Sequence, residues 1–311
     1  MINIMRNDFS DLLHTDFSSL YLHNLKNQLI PSLFVEKINH QIYQGFHEIA
    51  LTFDDDLDFT FPNVIVPIAG YMKFFESEKI IDEFSLYGNL SNYIRSTYFN
   101  DPPNVKSHAA FLKQYPFDKI WSFNDEDDVY NIVNTVISEL NKRSRIAEGV
   151  SNCVEYCLNE VLDNVLQHSG IERGLFMAQY LKGPNIINFS VFDSGYGIYN
   201  TLLDSNHFPI GAVDAITMSV KENVTRDKKE HQGNGLFMLH NLVKNNSSRL
   251  SITTHDGFYS FEQDQTRKGI NTLMIGRDGD KITKNGCTTI SFSINLNNPV
   301  DVVSSLGHEK N

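Results

Sequence analysis

The clearest hydrophobic pattern in the chain lies in residues 152–168, where apolar side chains recur at the i, i+3, i+4 and i+7 spacing of an amphipathic helix. The apolar stripe consists of Val154, Cys157, Leu158, Val161, Leu162, Val165 and Leu166. We expect this stripe to pack on a sheet. The other side of the helix is polar, and it carries Glu160, Asp163, Asn164 and Gln167.

The segments around this helix follow a pattern typical of a mixed α and β fold. Before it, we expect strands over 47–54, 83–88 and 119–124, and helices over 62–77 (with Pro67 in its first turns), over 90–98 (capped by Asn89) and over 125–145. After it, we expect strands over 173–181, 185–193, 248–257, 271–276 and 288–296, a loop-like stretch to about residue 232, and then a helix. This order predicts two domains, a mixed α/β module over 1–124 and a larger domain over 125–311.

Composition narrows the class of protein. The 311 residues are 41% hydrophobic and 21% charged, which is typical of a globular chain with a substantial core. A net charge of −12 argues against a nucleic-acid-binding surface, because phosphate contacts need clustered Lys and Arg. Three cysteines without metal-ligand spacing favour reduced packing residues, and no stretch is apolar enough for a membrane span. We therefore expect a cytoplasmic protein.

The first motif is Glu160-x-x-x-Asn164 on the predicted helix. Four residues make about one helical turn, so both side chains point into the same space. A carboxylate there can activate a water as a general base, and an amide oxygen can hold Mg²⁺ beside phosphate oxygens. By itself the pair also fits an ordinary solvated helix face.

The second motif is "DSGYGI", in which Asp193, Gly195 and Gly197 directly follow an apolar strand. A carboxylate at the end of a strand can accept a hydrogen bond from an exocyclic amine such as that of adenine. The glycines allow the backbone to turn sharply beside a flat ligand. A glycine-rich turn with a turn-forming Asp is the alternative interpretation.

The third motif is "GNGLFMLHNLV", in which Gly233, Gly235 and Leu236 run straight into an amphipathic helix. Free N–H groups and the positive end of the helix dipole favour an anion at such a helix start. No strand leads directly into the motif and no third glycine follows, so it is not the dinucleotide fingerprint. It is not a P-loop either, since no Gly-Lys-Ser/Thr follows. A tight loop-to-helix turn remains the alternative.

Taken together and in this order, the three motifs resemble the GHKL family of ATPases, which includes sensor histidine kinases, type II topoisomerases, mismatch-repair ATPases and anti-sigma-factor kinases. The resemblance covers about residues 130–297. It implies an α+β fold, a two-layer sandwich of helices on a mixed sheet (the Bergerat type), preceded here by a smaller domain. It also implies ATP and Mg²⁺ as ligands.

The resemblance assigns a role to each motif residue. Asn164 would ligate Mg²⁺, Asp193 would read the adenine, and Glu160 would be the catalytic base. The remaining nucleotide contacts would come from Gly195, Gly197, Gly233, Gly235, Leu236 and a threonine near the adenine, for which Thr288 and Thr289 are candidates and Thr289 is favoured. Residues from about 199 to 232 would form a mobile lid. The cations of this segment that could reach a γ-phosphate are Lys221, Arg226, Lys228, Lys229 and His231, although a solvated charged loop is equally compatible.

Features of several branches of the family are not expected in this chain. The last predicted strand ends near residue 296 of 311, so we do not expect the lysine-bearing domain of the topoisomerase, mismatch-repair and chaperone branches. No two-helix dimerisation unit with a phosphorylatable His precedes the domain, so a sensor kinase is not expected. What remains is similar to the anti-sigma-factor kinases, with an N-terminal module that loosely resembles a STAS domain. This implies a regulatory protein partner and a homodimer.

Two functions of different class stay open at this stage. In one, Glu160 activates water or a serine or threonine hydroxyl of a partner, and the protein is an ATPase or a protein kinase. In the other, the protein is an ATP-gated binding switch with little turnover. A degenerate fold that no longer binds nucleotide is a third interpretation.

Overall fold

The computed structural model describes residues 2–5, 48–53, 61–87, 91–143, 145–168, 170, 173–204, 207–221, 235–270 and 286–302. The strands are β1 (Ile2–Met5), β2 (Glu48–Phe53), β3 (Glu83–Tyr87), β4 (Trp121–Phe123), β5 (Gly174–Leu181), β6 (Ile186–Asp193), β7 (Arg249–Thr254), β8 (Gly257–Glu262), β9 (Gln265–Ile270) and β10 (Thr288–Asn295). The helices are α1 (Pro62–Ser77), α2 (Ser91–Ser96), α3 (Ala109–Gln114), α4 (Glu126–Arg143), α5 (Val150–His168), α6 (Gly197–Leu203), α7 (Ala212–Ser219) and α8 (Gly235–Asn245). A short 3₁₀ turn, Lys106–His108, precedes α3.

Seven strands form the main sheet in the order β4-β5-β6-β10-β7-β8-β9. Each neighbouring pair among these described strands is antiparallel, so the mixed sheet that the family resemblance implies is not what the structure contains. β10 lies between β6 and β7, although it comes last in the chain. Its register sets Thr288 directly opposite Asp193 and Thr289 opposite Phe192.

One face of the main sheet carries the first core, which is formed with α4, α5 and α8. Side chains alternate between the two faces of a strand, so every second residue of β6 and β10 points toward these helices. The sheet residues of this core include Ile187, Phe189 and Val191 on β6 and Ile290, Phe292 and Ile294 on β10. The apolar stripe predicted for residues 152–168 lies in the same core, since Val154, Leu158, Val161 and Leu162 are fully buried there.

The opposite face of the main sheet is covered in part by α1. Twelve of the 16 residues of this helix are buried, and a helix that is apolar on all sides needs partners on more than one side. A second, three-stranded sheet, in the order β1-β2-β3, supplies another side. The second core joins α1 to Ile49, Leu51, Phe84 and Leu86 of the small sheet, and to Leu175, Met177 and Phe192 of the main sheet.

The strong patterns of the sequence are confirmed. The structure contains, with ends that differ by at most three residues, the helices predicted over 62–77, 125–145 and 152–168 and the strands predicted over 173–181, 185–193, 248–257 and 288–296. The prediction of a loop from 198 to 232 is wrong for its first part, where α6 and α7 lie. The strands β8 and β9 were not predicted. The strand predicted over 271–276 and the cap at Asn89 lie outside the described residues.

The boundary predicted after residue 124 stays a prediction. β4 precedes it in the chain and pairs with β5 at one edge of the main sheet, so this sheet begins before residue 124. The fold is therefore α+β, with a seven-stranded antiparallel sheet and helices on it. None of the helices in the described ranges is both long enough and apolar enough to cross a membrane.

Candidate functional site

The first motif of the sequence meets the third in space. Glu160 and Asn164 lie one turn apart on α5, both partly buried, and Gly235 opens α8 beside them. A methyl group added at Gly235 would overlap Oε2 of Glu160 and would lie 3.3 Å from its Cδ and 3.7 Å from Nδ2 of Asn164. The start of α8 is therefore in van der Waals contact with the polar side of α5.

Asn164 has an unsatisfied polar atom at this place. Its Nδ2 is buried and forms no hydrogen bond with the described part of the chain, which normally costs about 1–3 kcal/mol. An amide turned by 180° presents Oδ1 in the same direction, and amide oxygens are ligands for Mg²⁺. Among the described residues, no group of three or more His, Cys, Asp or Glu is arranged to hold a metal ion. The Asn164 side chain therefore fits an ion that is also held by phosphate oxygens.

Glu160 has a neighbour that the sequence analysis missed. The Tyr156 hydroxyl hydrogen-bonds the Glu160 carboxylate, and it also contacts the sulfur of Met238 on α8. Burial, followed by the Glu160 charge, raises the pKa of Tyr156 well above its usual value, so the phenol stays protonated and is a permanent donor. Tyr156 lies one turn before Glu160, so the i, i+4 spacing was the signal that would have found it.

Asp193 is a buried carboxylate at the end of β6. Its side chain is 6% exposed, and Oδ1 accepts a hydrogen bond of 2.9 Å from the backbone N–H of Gly195. Desolvation raises the pKa of Asp193 to about 7, while the bonds from Gly195 and from the Thr288 hydroxyl lower it. Near neutral pH this group is thus divided between the ionised and the protonated form, which is unusual for a carboxyl group and is typical of a functional site.

The threonine beside Asp193 is Thr288, and the preference for Thr289 is corrected. Thr288 lies directly opposite Asp193 and hydrogen-bonds it. Thr289 is one residue further along β10, so the alternation of side chains turns it to the opposite face, toward Phe192 and α1. Its hydroxyl is buried there without a hydrogen-bond partner among the described residues.

Gly197 has a structural reason to be glycine. Its φ is +74°, and an added Cβ would lie 2.6 Å from each of three atoms, the carbonyl oxygen of Gly286, Cε1 of His255 and Oγ1 of Thr254. The Thr254 hydroxyl lies 2.8 Å from the Gly286 carbonyl and accepts a bond of 3.2 Å from the N–H of Ile198. Desolvation lowers the pKa of His255 to about 4, so this neighbouring ring is neutral. The second glycine of the motif therefore packs the turn against β7 and the start of β10.

The end of α5 contacts the turn that follows Asp193. Gly170 lies two residues after α5, and a Cβ added there would overlap the ring of Tyr196, with Cδ2 at 2.6 Å. Asp193 and Thr288 have the same parity along their strands as Val191 and Ile290, so their side chains point to the face that carries α5 and α8. Gly235, Glu160 and Asn164 thus lie together, and the end of α5 contacts the turn that follows Asp193 on the same face of the main sheet.

One predicted site residue packs against the core, and several others lie outside the residues that the structure describes. Leu236 is partly buried and packs against the first core. Gly233 and the lid cations Arg226, Lys228, Lys229 and His231 lie outside the described residues. Lys221 is described and is exposed after α7. The predicted lid is therefore described only in its first part, 199–204 and 207–221.

The chain was compared with protein-family models, with curated proteins and with solved structures. No protein-family model matches the chain, and no curated protein matches it. Among solved structures, the chain is similar to the histidine kinase domain of a blue-light activated histidine kinase from Erythrobacter litoralis EL346, at 17% sequence identity and a TM-score of 0.27. The match covers 55% of this chain and 64% of that chain, so this chain spans less than two thirds of its length.

Proposed function

We propose that this protein binds ATP and Mg²⁺ as a regulatory protein of the GHKL type, with a Bergerat-type arrangement of α5 and α8 on the main sheet. The observation that carries the proposal is the contact of Gly235 with Glu160 and Asn164, at the start of a helix. This contact would bring a base, a metal ligand and an anion-binding helix start together, and a buried amide atom in the same place has no hydrogen-bond partner among the described residues.

The adenine would be read by Asp193. One oxygen of the Asp193 carboxylate accepts a bond from the Gly195 N–H, and each carboxylate oxygen can accept more than one bond, so the exocyclic amine of adenine can donate to it as well. Thr288 lies directly opposite, and the hydrogen bond from its hydroxyl orients the carboxylate and stabilises the ionised form. Because the site is buried, this one hydrogen bond discriminates well between adenine and bases that lack the amine.

The phosphates would lie between the start of α8 and the polar side of α5. A bound Mg²⁺ would neutralise phosphate charge and orient the γ-phosphate. Asn164 would hold it through its amide oxygen, while the free backbone N–H groups at the first turn of α8 would bind phosphate oxygens. The absence of a side chain at Gly235 lets the first turn of α8 lie directly against Glu160.

Glu160 would act as the general base. Its carboxylate would accept the proton of a water, or of a serine or threonine hydroxyl of a partner protein, as the oxygen attacks the γ-phosphate. The products would be ADP with inorganic phosphate in the first case and ADP with a phosphorylated partner in the second. Catalysis of this kind consists mainly of positioning and charge neutralisation. A small regulatory protein, of the STAS type or another, is the partner that we propose, and a homodimer is the proposed assembly.

One contact favours an ATP-gated switch with little turnover as the second candidate. The Tyr156 hydroxyl already hydrogen-bonds Glu160, so the carboxylate has a donor before any nucleophile is present. In a switch, this bond would hold α5 and α8 together, and nucleotide binding would change the lid and the surface that a partner contacts.

A single-turnover assay with γ-labelled ATP and Mg²⁺ separates these functions. Free labelled phosphate indicates an ATPase, and label on an added partner protein indicates a kinase. For either, Glu160→Gln should keep nucleotide affinity and lower the rate by at least about 100-fold, as expected for loss of a general base. Bound ATP that stays intact while Glu160→Gln leaves partner binding unchanged indicates the switch. A chain that binds no ATP at all contradicts all three.

A further inference from the structure

The main sheet and α1 approach each other closely at one point. Gly70 of α1 lies against the ring of Phe192, and a Cβ added at Gly70 would overlap that ring, with Cγ at 2.5 Å. The next residue of the helix, Tyr71, packs its ring against the edge of Phe192 with the centroids 5.2 Å apart and the planes at 67°. Phe192 is therefore enclosed by two consecutive residues of α1.

Phe192 immediately precedes Asp193 on β6, and the two side chains point to opposite faces of the sheet. Asp193 is held on its own face by the Gly195 N–H and the Thr288 hydroxyl. Any rotation or shift of the strand at Phe192 changes where the carboxylate of Asp193 points, since the two residues share one peptide unit. Phe192 thus connects the helix on one face to the candidate adenine contact on the other.

The Tyr71 hydroxyl is also close enough to Cys287 and Asp193 to interact with their charges. Burial, then the charges of Cys287 and Asp193, raises the pKa of Tyr71 well above its usual value. Cys287 belongs to the second core and directly precedes Thr288. Phe192 precedes Asp193, and Cys287 precedes Thr288. Both preceding residues are therefore packed in the core that contains α1.

The other side of α1 belongs to the N-terminal part of the chain. Side chains of β2 and β3, among them Ile49, Leu51, Phe84 and Leu86, are buried in the same core as Phe192. Close-packed interiors transmit displacement, because few voids are available to absorb it. A change in the position of the small sheet therefore reaches β6 through α1.

We propose that α1 positions Asp193 through Phe192, so that the N-terminal sheet is a regulatory input that sets adenine recognition in the site on the opposite face. This inference rests on the proposed function. Gly70 and Tyr71 are positioning residues that act through Phe192 and do not touch the nucleotide. A partner that binds the small sheet, or a modification there, changes nucleotide affinity without contact with the site.

The test compares ATP with purine riboside triphosphate, which lacks only the 6-amino group. The unmodified chain should bind ATP about tenfold more tightly, the order expected for one hydrogen bond to a charged acceptor. Gly70→Ala should bring this ratio close to one, while affinity for purine riboside triphosphate stays within about twofold because the phosphate contacts are intact. General destabilisation would weaken both ligands together, so the ratio reports positioning.

The control is Gly183→Ala, the same chemical change in the turn between β5 and β6, where an added Cβ meets nothing within 4 Å. The ratio should stay as in the unmodified chain. Phe192→Leu is a second variant that keeps the core apolar, and it should lower the ratio as well. In the double variant Gly70→Ala with Phe192→Leu, the smaller side chain makes room for the methyl group, so discrimination should be higher than in Gly70→Ala alone.

An unchanged ratio in folded Gly70→Ala, or in Phe192→Leu if Gly70→Ala does not fold, overturns this inference and leaves ATP binding intact. An equal loss of affinity for both nucleotides overturns it too. If the unmodified chain binds neither nucleotide, the proposed function fails and this inference fails with it.

Discussion

Gly235 and Glu160 are in direct contact across the interface of α8 and α5, at a position where any side chain on residue 235 would overlap the Glu160 carboxylate. The two residues are 75 positions apart in the chain, roughly the distance that separates the first and third sequence motifs. Their contact brings the first and third sequence motifs together in space.

Gly235→Ala should weaken Mg-ATP binding by at least about tenfold, because the added methyl displaces either Glu160 or the first turn of α8. Alanine is a better helix former than glycine, so the helix itself is not expected to lose stability. The measurement is a titration of each variant with Mg-ATP by calorimetry. Gly183→Ala is the matched control and should bind as the unmodified chain does. Equal affinity of Gly235→Ala and the control would remove the phosphate-binding role of this helix start.

Two adjacent threonines should respond in opposite ways. Thr288→Val removes the hydrogen bond to Asp193 and should lower ATP affinity by roughly tenfold. Thr289→Val removes a buried hydroxyl that has no partner among the described residues, so it should leave affinity unchanged and preserve or slightly raise thermal stability. Nucleotide titrations and melting curves of the two variants check both statements. A larger loss of affinity in Thr289→Val would show that the register of β10 is wrong.

Asp193→Asn should stabilise the ligand-free protein, increasingly so as the pH rises. The folded-state pKa of Asp193 is raised from 3.8 to about 7, so its contribution to stability is fully present below pH 3.8 and is lost as the pH rises toward 7. Asparagine does not titrate and can still accept the Gly195 bond. Between about pH 5 and pH 8, the variant should therefore gain on the order of 2 to 3 kcal/mol in unfolding free energy relative to the unmodified chain.

Urea denaturation at these two pH values measures that gain. The same variant should no longer bind ATP more tightly than purine riboside triphosphate. The Asp193 carboxyl would therefore lower the stability of the ligand-free protein while it provides recognition of adenine. A gain that is equal at both pH values would mean that Asp193 titrates normally in the folded chain.

The sequence predicted those parts of the fold whose side chains repeat with a clear period. The stripe of α5 and the apolar runs of β5 and β6 are of this kind. β9 is exposed along nearly all of its length, so it has no buried face to produce an alternating pattern. The turn before it places Gln263 and Asp264 at φ of 51° and 58°, a conformation that usually signals itself by Asn-Gly or Asp-Gly.

The position of α1 could not be predicted for a different reason. A helix with apolar residues on all sides gives no direction in which to pack, and its two sheets are distant in sequence. The sequence could not tell whether Thr288 or Thr289 lies beside Asp193, because a shift of one residue reverses the faces of a strand and the pattern locates a strand end less accurately than that. The short helices α6 and α7 have seven and eight residues, too few for the helical period to be distinct from a loop.

The central claim is that Asp193, Asn164 and Gly235 line one site for Mg-ATP, and a thermal shift measurement tests it most directly. Ligand that binds only the folded chain raises its melting temperature by mass action. We expect Mg-ATP to raise the melting temperature of the unmodified chain, Asp193→Asn to lose this shift, and Asn164→Ala to lose its dependence on Mg²⁺. An unmodified chain whose melting temperature does not change at saturating Mg-ATP would contradict the account.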